Sequence, residues 1–593
     1  MLSGSLAPLI ASILAVLAPE IAKQPPVKIG ANITALRFTD QRYLTRTLDD
    51  LGKQKAYVVV FTNTDCPIAQ RYLPRLKTLD AEYRGKGVRF LSLNVGEGDS
   101  VVDVAAQAVT AGIGFPFGKD FSGEAARKLG VTRTPECVVL DGQKRLRYRG
   151  RIDGDVRFGG VSPKKTRADL KEAIDDVLAG RDVKVKETPV DGCLISFPDD
   201  KPPKRVVTYS EHIAPLLQKH CQRCHRPNAE GPFPLLSFAD AKQHGAMIGE
   251  VVKQQRMPPW FGSKQHGKFI NRTVMSSDER QLVADWIAGG KREGEPKKLP
   301  KPLEFPKTKW QIGRPDLVIP IPTEQKIPAE GYIPYRYVVL PYVFLKDTWV
   351  RKIEILPGNR RVVHHCNMGY IAVTDAKRRP HFITGFVPGG SPMELDKGTA
   401  FKIPAGSIIG LQMHYVTAGK ETTDRTSVGF VFAKGKVDRQ IRHLEVMTRR
   451  FAIPPGEPFH RVVAERTLSA DAVGVGMFVH MHLRGRDMTF HALYPDGKKE
   501  TLLLVPNYSF DWQLPYRWAA GTKKFPKGTR IQCVAHFDNS PFNPFNPDPK
   551  KTVKYGLQTY HEMMYGFFFY LNENEKLNLR IDPKTGRVIE GGK

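Results

Sequence analysis

Cysteine is scarce. The 593-residue chain has seven, at positions 66, 137, 193, 221, 224, 366 and 533. That is too few, and too widely spaced, for a disulfide framework. Only Cys221 and Cys224 stand at motif spacing. Long hydrophobic runs are equally rare. The apolar opening, MLSGSLAPLIASILAVLAP, contains Pro8, is short for a membrane span, and lacks the basic residues that normally begin an export signal. Val16-Leu17-Ala18 offers a small-residue cleavage site, so residues 1–22 read as an imperfect signal peptide, and an uncleaved anchor or a misplaced start stays open. No later segment is long enough to span a membrane stably. Acidic charge is also in deficit, with 61 Asp and Glu against 90 Lys and Arg, a net charge of +29. The excess is spread along the whole chain, with no recognition helix and no interleaving of aromatic and basic residues. It therefore reads as a solvated basic surface and not as a nucleic-acid site. Exact internal repeats and long low-complexity tracts are absent.

What is present divides into segments. Residues 28–185 alternate buried-strand runs (AYVVVFTN, VRFLSLNVG) with an amphipathic helix (RYLPRLKTLDAEYRGKG) and a hairpin turning at Asp141-Gly142, which predicts an α/β domain. A Pro-rich linker, KVKETPVDGCLISFPDDKPPKR, follows. Residues 206–294 read as a small all-α domain whose last helix is capped by Ser277 and ended by Gly289. After a second Lys/Pro linker, short β-like runs separated by Pro, Gly and Asn predict two all-β sandwiches, at 310–447 and 448–575. The fold class expected is thus multidomain: α/β, then all-α, then two β-sandwiches.

The helical segment opens with YSEHIAPLLQKHCQRCH. Cys221 and Cys224 have the spacing that forms thioethers to both haem vinyl groups, and His225 supplies an axial imidazole. A dithiol pair or a zinc half-site is the competing reading, but no second ligand pair lies nearby. Met257, on the Pro-braced stretch QQRMPPWFG, is the expected sixth ligand, with Met247 and Met275 as competitors. The segment resembles a class I cytochrome c. That resemblance implies one covalently bound haem c and an exported, periplasmic setting.

In the β region, FVHMHLRG places His480 and His482 two apart, so a strand aims both at one face. RVVHHCNMGY adds His364 and His365, IIGLQMHYVTAG adds His414, and QTYHEMMYGFFFY adds His561, Met563 and Met564. Imidazole with thioether suits copper. Three imidazoles in one site and two plus a Met in another would bind two copper ions. Single histidines elsewhere, His381, His443, His460, His491 and His536, read as surface or hydrogen-bonded core residues. This order of elements resembles the copper type II, ascorbate-dependent monooxygenases, the family of peptidylglycine α-hydroxylating monooxygenase. The resemblance implies two jelly-roll-like sandwiches with solvent between them. It also implies an electron-transfer copper on His364, His365 and His414, and an oxygen-activating copper on His480, His482 and Met563. The reaction implied is insertion of one oxygen atom from O2 into a C–H bond of a small-molecule or peptide-like substrate, with electrons from an ascorbate-like reductant or a redox protein, here through the haem. The chain departs from the family in its few cysteines, with Cys366 after the His pair and Met564 where the family has Cys, leaving Cys533 without its expected partner.

FTNTDCPIAQRYLPRL sets Cys66 between a strand and a helix, where a helix N-terminus favours thiolate. With Thr134-Pro135 as a candidate cis-Pro loop, the N-terminal segment resembles a thioredoxin or alkyl hydroperoxide reductase-like domain. Position 69 is Ala, so no CxxC exists, and Val59 and Asn63 stand where peroxiredoxins have Pro and Thr. Cys66 is then a catalytic single-thiol redox group or a metal-handling one, or the domain is a structural relic, with Cys137, two residues past the cis-Pro, as the candidate neighbour. Two alternatives to a copper monooxygenase remain: a non-catalytic copper or electron-transfer protein, and a thiol peroxidase or thiol-redox protein using Cys66.

Overall fold

The computed structural model describes residues 26–589 apart from 34, 158–159, 162–165, 198–204, 228, 306–307, 374, 377–379 and 388, so the signal-peptide expectation lies outside the described residues. No helix among them is long and apolar enough to cross a membrane.

The N-terminal unit is a seven-stranded sheet built from β1 (Arg37–Asp40), β2 (Thr45–Thr47), β3 (Ala56–Thr62), β4 (Val88–Asn94), β5 (Phe117–Lys119), β7 (Cys137–Asp141) and β8 (Leu146–Gly150), in the order β2-β1-β5-β4-β3-β7-β8. A two-residue strand, β6 (Arg133–Thr134), precedes β7. Strands β3, β4 and β5 run parallel and β7 antiparallel. Every residue of β3 is buried because both faces are covered. Val58 and Val60 meet α1 (Pro67–Tyr83) and α3 (Asp169–Leu178) on one face. Tyr57, Val59 and Phe61 meet α2 (Glu124–Leu129) on the other. The hairpin expected at Asp141-Gly142 forms between β7 and β8.

The linker after this unit does not run free. Its strand β9 (Cys193–Leu194) pairs antiparallel with β6, so the unit extends past the expected limit at 185.

Helices at Ala214–His220, Phe238–Gln243, Gly245–Lys253 and Ser277–Ala288 gather around Trp286 in a core of their own. Ser276, one residue before the expected cap, closes the last helix in a reciprocal box with Glu279, and Gly289 ends it as expected.

The rest is two β-sandwiches. The first packs a four-stranded sheet (Arg336–Phe344, Ser407–Tyr415, Val363–Ala372, His381–Phe386) on a six-stranded one. The second packs a five-stranded sheet containing Ala472–His480 on a four-stranded one. The expected boundary at 447 moves. Arg442–Met447 pairs along its whole length with Tyr565–Asn572 and belongs to the second sandwich. Conversely, Leu579–Ile581 returns to pair with Gly435–Val437.

The units are docked. Trp260 and Phe269, from the loop after the third helix of the helical segment, pack edge-on against Tyr516 of the second sandwich, with ring centres at 5.1 and 5.5 Å. Arg486, buried, donates to the carbonyls of Ile113 and Gly114 in the N-terminal unit and of Pro458 in its own sandwich.

Candidate metal and thiol centres

Adjacent residues on a regular strand face opposite sides, so His364 and His365 should diverge. A register shift between Val363 and His365 inserts His364 as an extra residue against the neighbouring strand. This bulge turns both rings the same way. His365 lies directly across the sheet from His414. The Nδ1 atom of His365 is 3.2 Å from that of His364 and 3.3 Å from that of His414. Ligand nitrogens of all three lie within 4.8 Å of one another. Burial, aided by the neighbouring imidazoles, pushes His365 well below the ordinary histidine range and His414 down to about 3. Neutral imidazoles crowding three lone-pair nitrogens together are suited to a cation.

The far nitrogens are held. His364 Nε2 is 2.9 Å from an Asp511 carboxylate oxygen, and His365 Nε2 is 2.9 Å from the Tyr335 hydroxyl. Such outer partners fix which nitrogen faces a metal. If the triad takes up added Cu(II), Asp511→Asn is expected to weaken that binding about 10–100-fold, read by competition with a chromophoric chelator.

The strand carrying FVHMHLRG ends at His480. Met481 turns into the core while His480 and His482 share the other side, ring centres 5.3 Å apart and perpendicular. The alternation expected from sequence holds past the strand end. His480 Nδ1 meets Gln513 Oε1 at 2.7 Å, and His482 Nδ1 lies 3.3 Å from the carbonyl oxygen of His561. Both partners are acceptors, so each Nδ1 carries the proton and each Nε2 keeps its lone pair. Burial lowers both pKa values. The buried Glu562 carboxylate accepts the backbone N–H groups of His482, Arg484 and Met563, tying the turn to the methionine segment. Burial pushes Glu562 up to about 7 against those donors. Met564 is part of the sandwich core, whereas Met563 is buried outside it.

The two sets are not separated as the resemblance implied. His365 and His480 ring centres are 6.4 Å apart. Phe510, from the second sandwich, lies 5.2–6.1 Å from the rings of His364, His365, His414 and His482. One apolar ring fills the space where solvent was expected, and its neighbour Asp511 completes the first sandwich's triad. Phe510, Asp511, Gln513 and Tyr335 were missed in the sequence because no motif spacing links them to the histidines. Cys366 and Cys533 are free and buried in separate sandwich cores. Cys366 points away from the imidazoles beside it and is core filler. His536, 2.7 Å from Asp487, is a hydrogen-bonded core residue as expected.

In the helical segment, Cys221 and Cys224 are free and half-buried, and His225 Nδ1 is 3.1 Å from the Phe233 carbonyl oxygen, leaving Nε2 for a metal. These groups fit a covalently held haem. Met275 is in the helical core and Met247 is exposed. Met257 lines a cleft with Trp260, Met275 and Arg280. No described contact joins it to His225. His244 is stacked 3.8 Å from the Phe233 ring, which itself sits 5.0 Å from His225.

Cys66 caps α1, accepting the Ala69 N–H at 3.5 Å, and its own thiol reaches the Thr134 carbonyl at 3.2 Å. The Thr134-Pro135 bond is cis, as the loop pattern suggested. Cys137 is not its partner. It is fully buried and bonded to the Gly150 carbonyl at 3.2 Å. Burial raises the Cys66 pKa, but hydrogen bonds from Cys193 and at Thr134 and Ala69 outweigh it and lower the value from 9.0. Alkylation by iodoacetamide depends on thiolate, which exists above the pKa. Its rate at Cys66 is therefore expected to reach half-maximum below pH 9, and at higher pH in Cys193→Ser.

The AhpC/TSA family model matches residues 29–149, about a fifth of the chain. The N-terminal unit is thioredoxin-like. Similar solved structures include a hypothetical protein from Sinorhizobium meliloti 1021, with 28% identity over 29% of this chain and 96% of that one at TM-score 0.27. A putative thiol:disulfide interchange protein DsbE from Chlorobium tepidum shows 16% identity over 26% and 97% at TM-score 0.21. Peroxidoxin BcpB from Mycobacterium tuberculosis shows 18% identity over 26% and 94% at TM-score 0.20. No curated protein sequence matches the chain. The architecture supported by fold and family is thus a thioredoxin-like α/β domain with a large β-rich C-terminal region.

Proposed function

We propose that this chain is an exported, copper-dependent oxidoreductase of the monooxygenase type, hydroxylating a C–H bond with O2. The observation that carries the reading is the convergence of five buried or half-buried imidazoles, four of them around Phe510 and His480 beside His365 and His482, with one ring nitrogen of His364, His365, His480 and His482 held by a neighbour outside the cluster. Copper bound there would supply one-electron redox chemistry and the reduction of O2. The chain's own residues do the rest. Gln513 and the His561 carbonyl present His480 and His482 through Nε2, Tyr335 and Asp511 present the triad through Nδ1, and Phe510 keeps bulk water out between them.

A covalent haem at Cys221 and Cys224 with His225 as ligand would supply single electrons. The CQRCH turn is docked toward the triad, which supports that role. Arg223 within the turn hydrogen-bonds Ser391. Gly389, two residues before it, has φ +71° and lies against Trp512, where a Cβ would come within 2.6 Å of the indole. Asp511, next in the chain, holds His364. Glu230, just past the turn, pairs with Arg360 at 2.8 Å.

The test is metal and haem analysis of periplasmically produced protein, with oxygen uptake measured under ascorbate or a reduced redox protein. Two coppers, one covalent haem and reductant-dependent uptake support the reading. Stoichiometric copper without uptake across reductants and substrates would make the chain a copper or electron carrier, and absence of copper would overturn both.

A second reading is favoured by one observation of its own. The family match covers the domain in which Cys66 sits at a helix N-terminus among three hydrogen-bonding groups. Cys66 is then a redox thiol, active alongside the metal centre or in its place.

A further inference from the structure

We infer that Cys193, carried by the segment after the thioredoxin-like fold, is the redox partner of Cys66, and that the two form a reversible disulfide by exchange with a disulfide substrate. The inference rests on reading Cys66 as a redox thiol and adds the second half of the couple that the missing CxxC left vacant.

The placement is built, and it comes from the strap, not from the helix. Residues 186–197 cross the fold along the loop that carries Thr134-Pro135. At the near end, Arg149 N donates to the Lys186 carbonyl and the Thr188 hydroxyl lies 2.7 Å from that of Tyr148. Over the active face, Cys193 pairs with Thr134 and Leu194 with Arg133. Arg133 Nη1 donates to the Gly192 carbonyl at 2.7 Å, and Ile195 N donates to Thr132 O at 2.9 Å. At the far end the Arg127 guanidinium stacks 4.6 Å over Phe197. Gly192 presses so closely that a Cβ there would stand 2.1 Å from the Thr134 carbonyl oxygen. Only glycine allows the strap to seat at this depth.

Thr134 is the residue both cysteines touch. Cys66 donates to its carbonyl, and Cys193 is its strand partner. Cys193 packs on the same core cluster as Cys66, and each thiol shifts the other's titration. Their environments also divide the work. Cys66 is held toward thiolate, while the bond to Cys66 and then burial push Cys193 up to about 11. The lower-pKa sulfur attacks first and the higher-pKa one keeps its proton until needed.

The exchange balances as follows. The Cys66 thiolate attacks one sulfur of a substrate disulfide; that S–S bond breaks, and the leaving thiolate takes a proton. The Cys193 sulfur, losing its proton, then attacks the Cys66 sulfur of the mixed disulfide and releases the second substrate thiol. Two protein thiols are oxidised to one disulfide, and one substrate disulfide is reduced to two thiols. Val59 and Asn63, standing where peroxide-reducing relatives have Pro and Thr, favour a disulfide over a hydroperoxide as co-reactant.

The full chain, equilibrated in glutathione buffers of graded ratio, trapped with maleimide and digested, gives the test. A Cys66–Cys193 cross-linked peptide should appear with oxidised glutathione and vanish with reduced. Cys193→Ser should instead accumulate glutathione on Cys66, and Cys137→Ser should behave as wild type. Gly192→Val keeps both thiols but lifts the strap, and should lose the cross-link while Cys66 still glutathionylates. Glutathione on Cys66 with no link to Cys193 in the wild type would overturn this inference alone. An inert Cys66 would overturn the thiol reading with it.

Discussion

On the proposed two-copper reading, His365→Ala is expected to cost the chain one copper and to leave the other in place. His365 is the middle member of its triad. Both neighbouring Nδ1 atoms lie within 3.3 Å of its own, and His364 and His414 have no such contact with each other. Removing an outer partner of a metal ligand already costs about 10–100-fold in affinity, and the loss of a central ligand costs more. Alanine also leaves a void under Phe510 and strands the Tyr335 hydroxyl, whose partner in the fold is His365 Nε2. Because His480 and His482 take their orientation from Gln513 and His561, their copper should remain. Elemental analysis and the Cu(II) paramagnetic resonance spectrum give the count. Tyr335→Phe, which removes the hydroxyl but keeps the ring, should retain both ions with the triad weakened. Loss of both coppers in His365→Ala would mean the two sets act as one site, which their 6.4 Å ring separation makes the informative failure.

The second large effect is expected at Arg486. Its guanidinium is buried and donates to three carbonyls, two in the N-terminal unit, while stacking 4.6 Å from the Phe459 ring. Burial lowers its pKa, with Asp487 and Asp538 opposing that shift. Alanine removes the charge and leaves three acceptors without a donor. A buried unsatisfied group costs about 1–3 kcal/mol. Partial rehydration at the seam offsets some of this, so a net loss of about 3 kcal/mol is expected. Hydrogen exchange should show residues 113–114 and 459–460 opening together, and chemical denaturation should show the N-terminal unit released early. Arg486→Lys keeps the charge but not the fork, and should fall between. A change below about 0.5 kcal/mol, the size of an ordinary surface substitution, would mean the units are held elsewhere.

How much of this could be read in advance follows from where each signal lies in the chain. The β3 run AYVVVFTN is buried on both faces, and its hydrophobicity announces that directly. The five histidines were legible because type and order survive in sequence. That His364 and His365 converge was not, since a bulge depends on the partner strand. Asp511, Gln513, Tyr335 and Phe510 act across 30 or more residues or across sandwiches, and nothing local marks them. Cys193 was hidden by composition. Its neighbours Pro, Gly and Asp read as linker, and only the pairing with Thr134 reveals a strand. The domain limit at 447 failed for a related reason. Arg442–Met447 has a strand pattern in either sandwich, and the hydrogen bonds to Tyr565–Asn572 decide which.

The return of the chain end to the first sandwich has a mechanical consequence. The polypeptide crosses between sandwiches twice, once near 440 and once near 575. The crossings lie side by side: Leu577 N bonds the Asp438 carbonyl, and the Glu575 carboxylate accepts the Gln440 N–H and the Arg442 guanidinium. Two connections tied together resist swivelling of one sandwich against the other, and Leu571, Val475 and Phe569 of the second sandwich pack against the core of the first. The double crossing therefore acts as a clamp that keeps Phe510 and Asp511 in register with the imidazoles of the first sandwich.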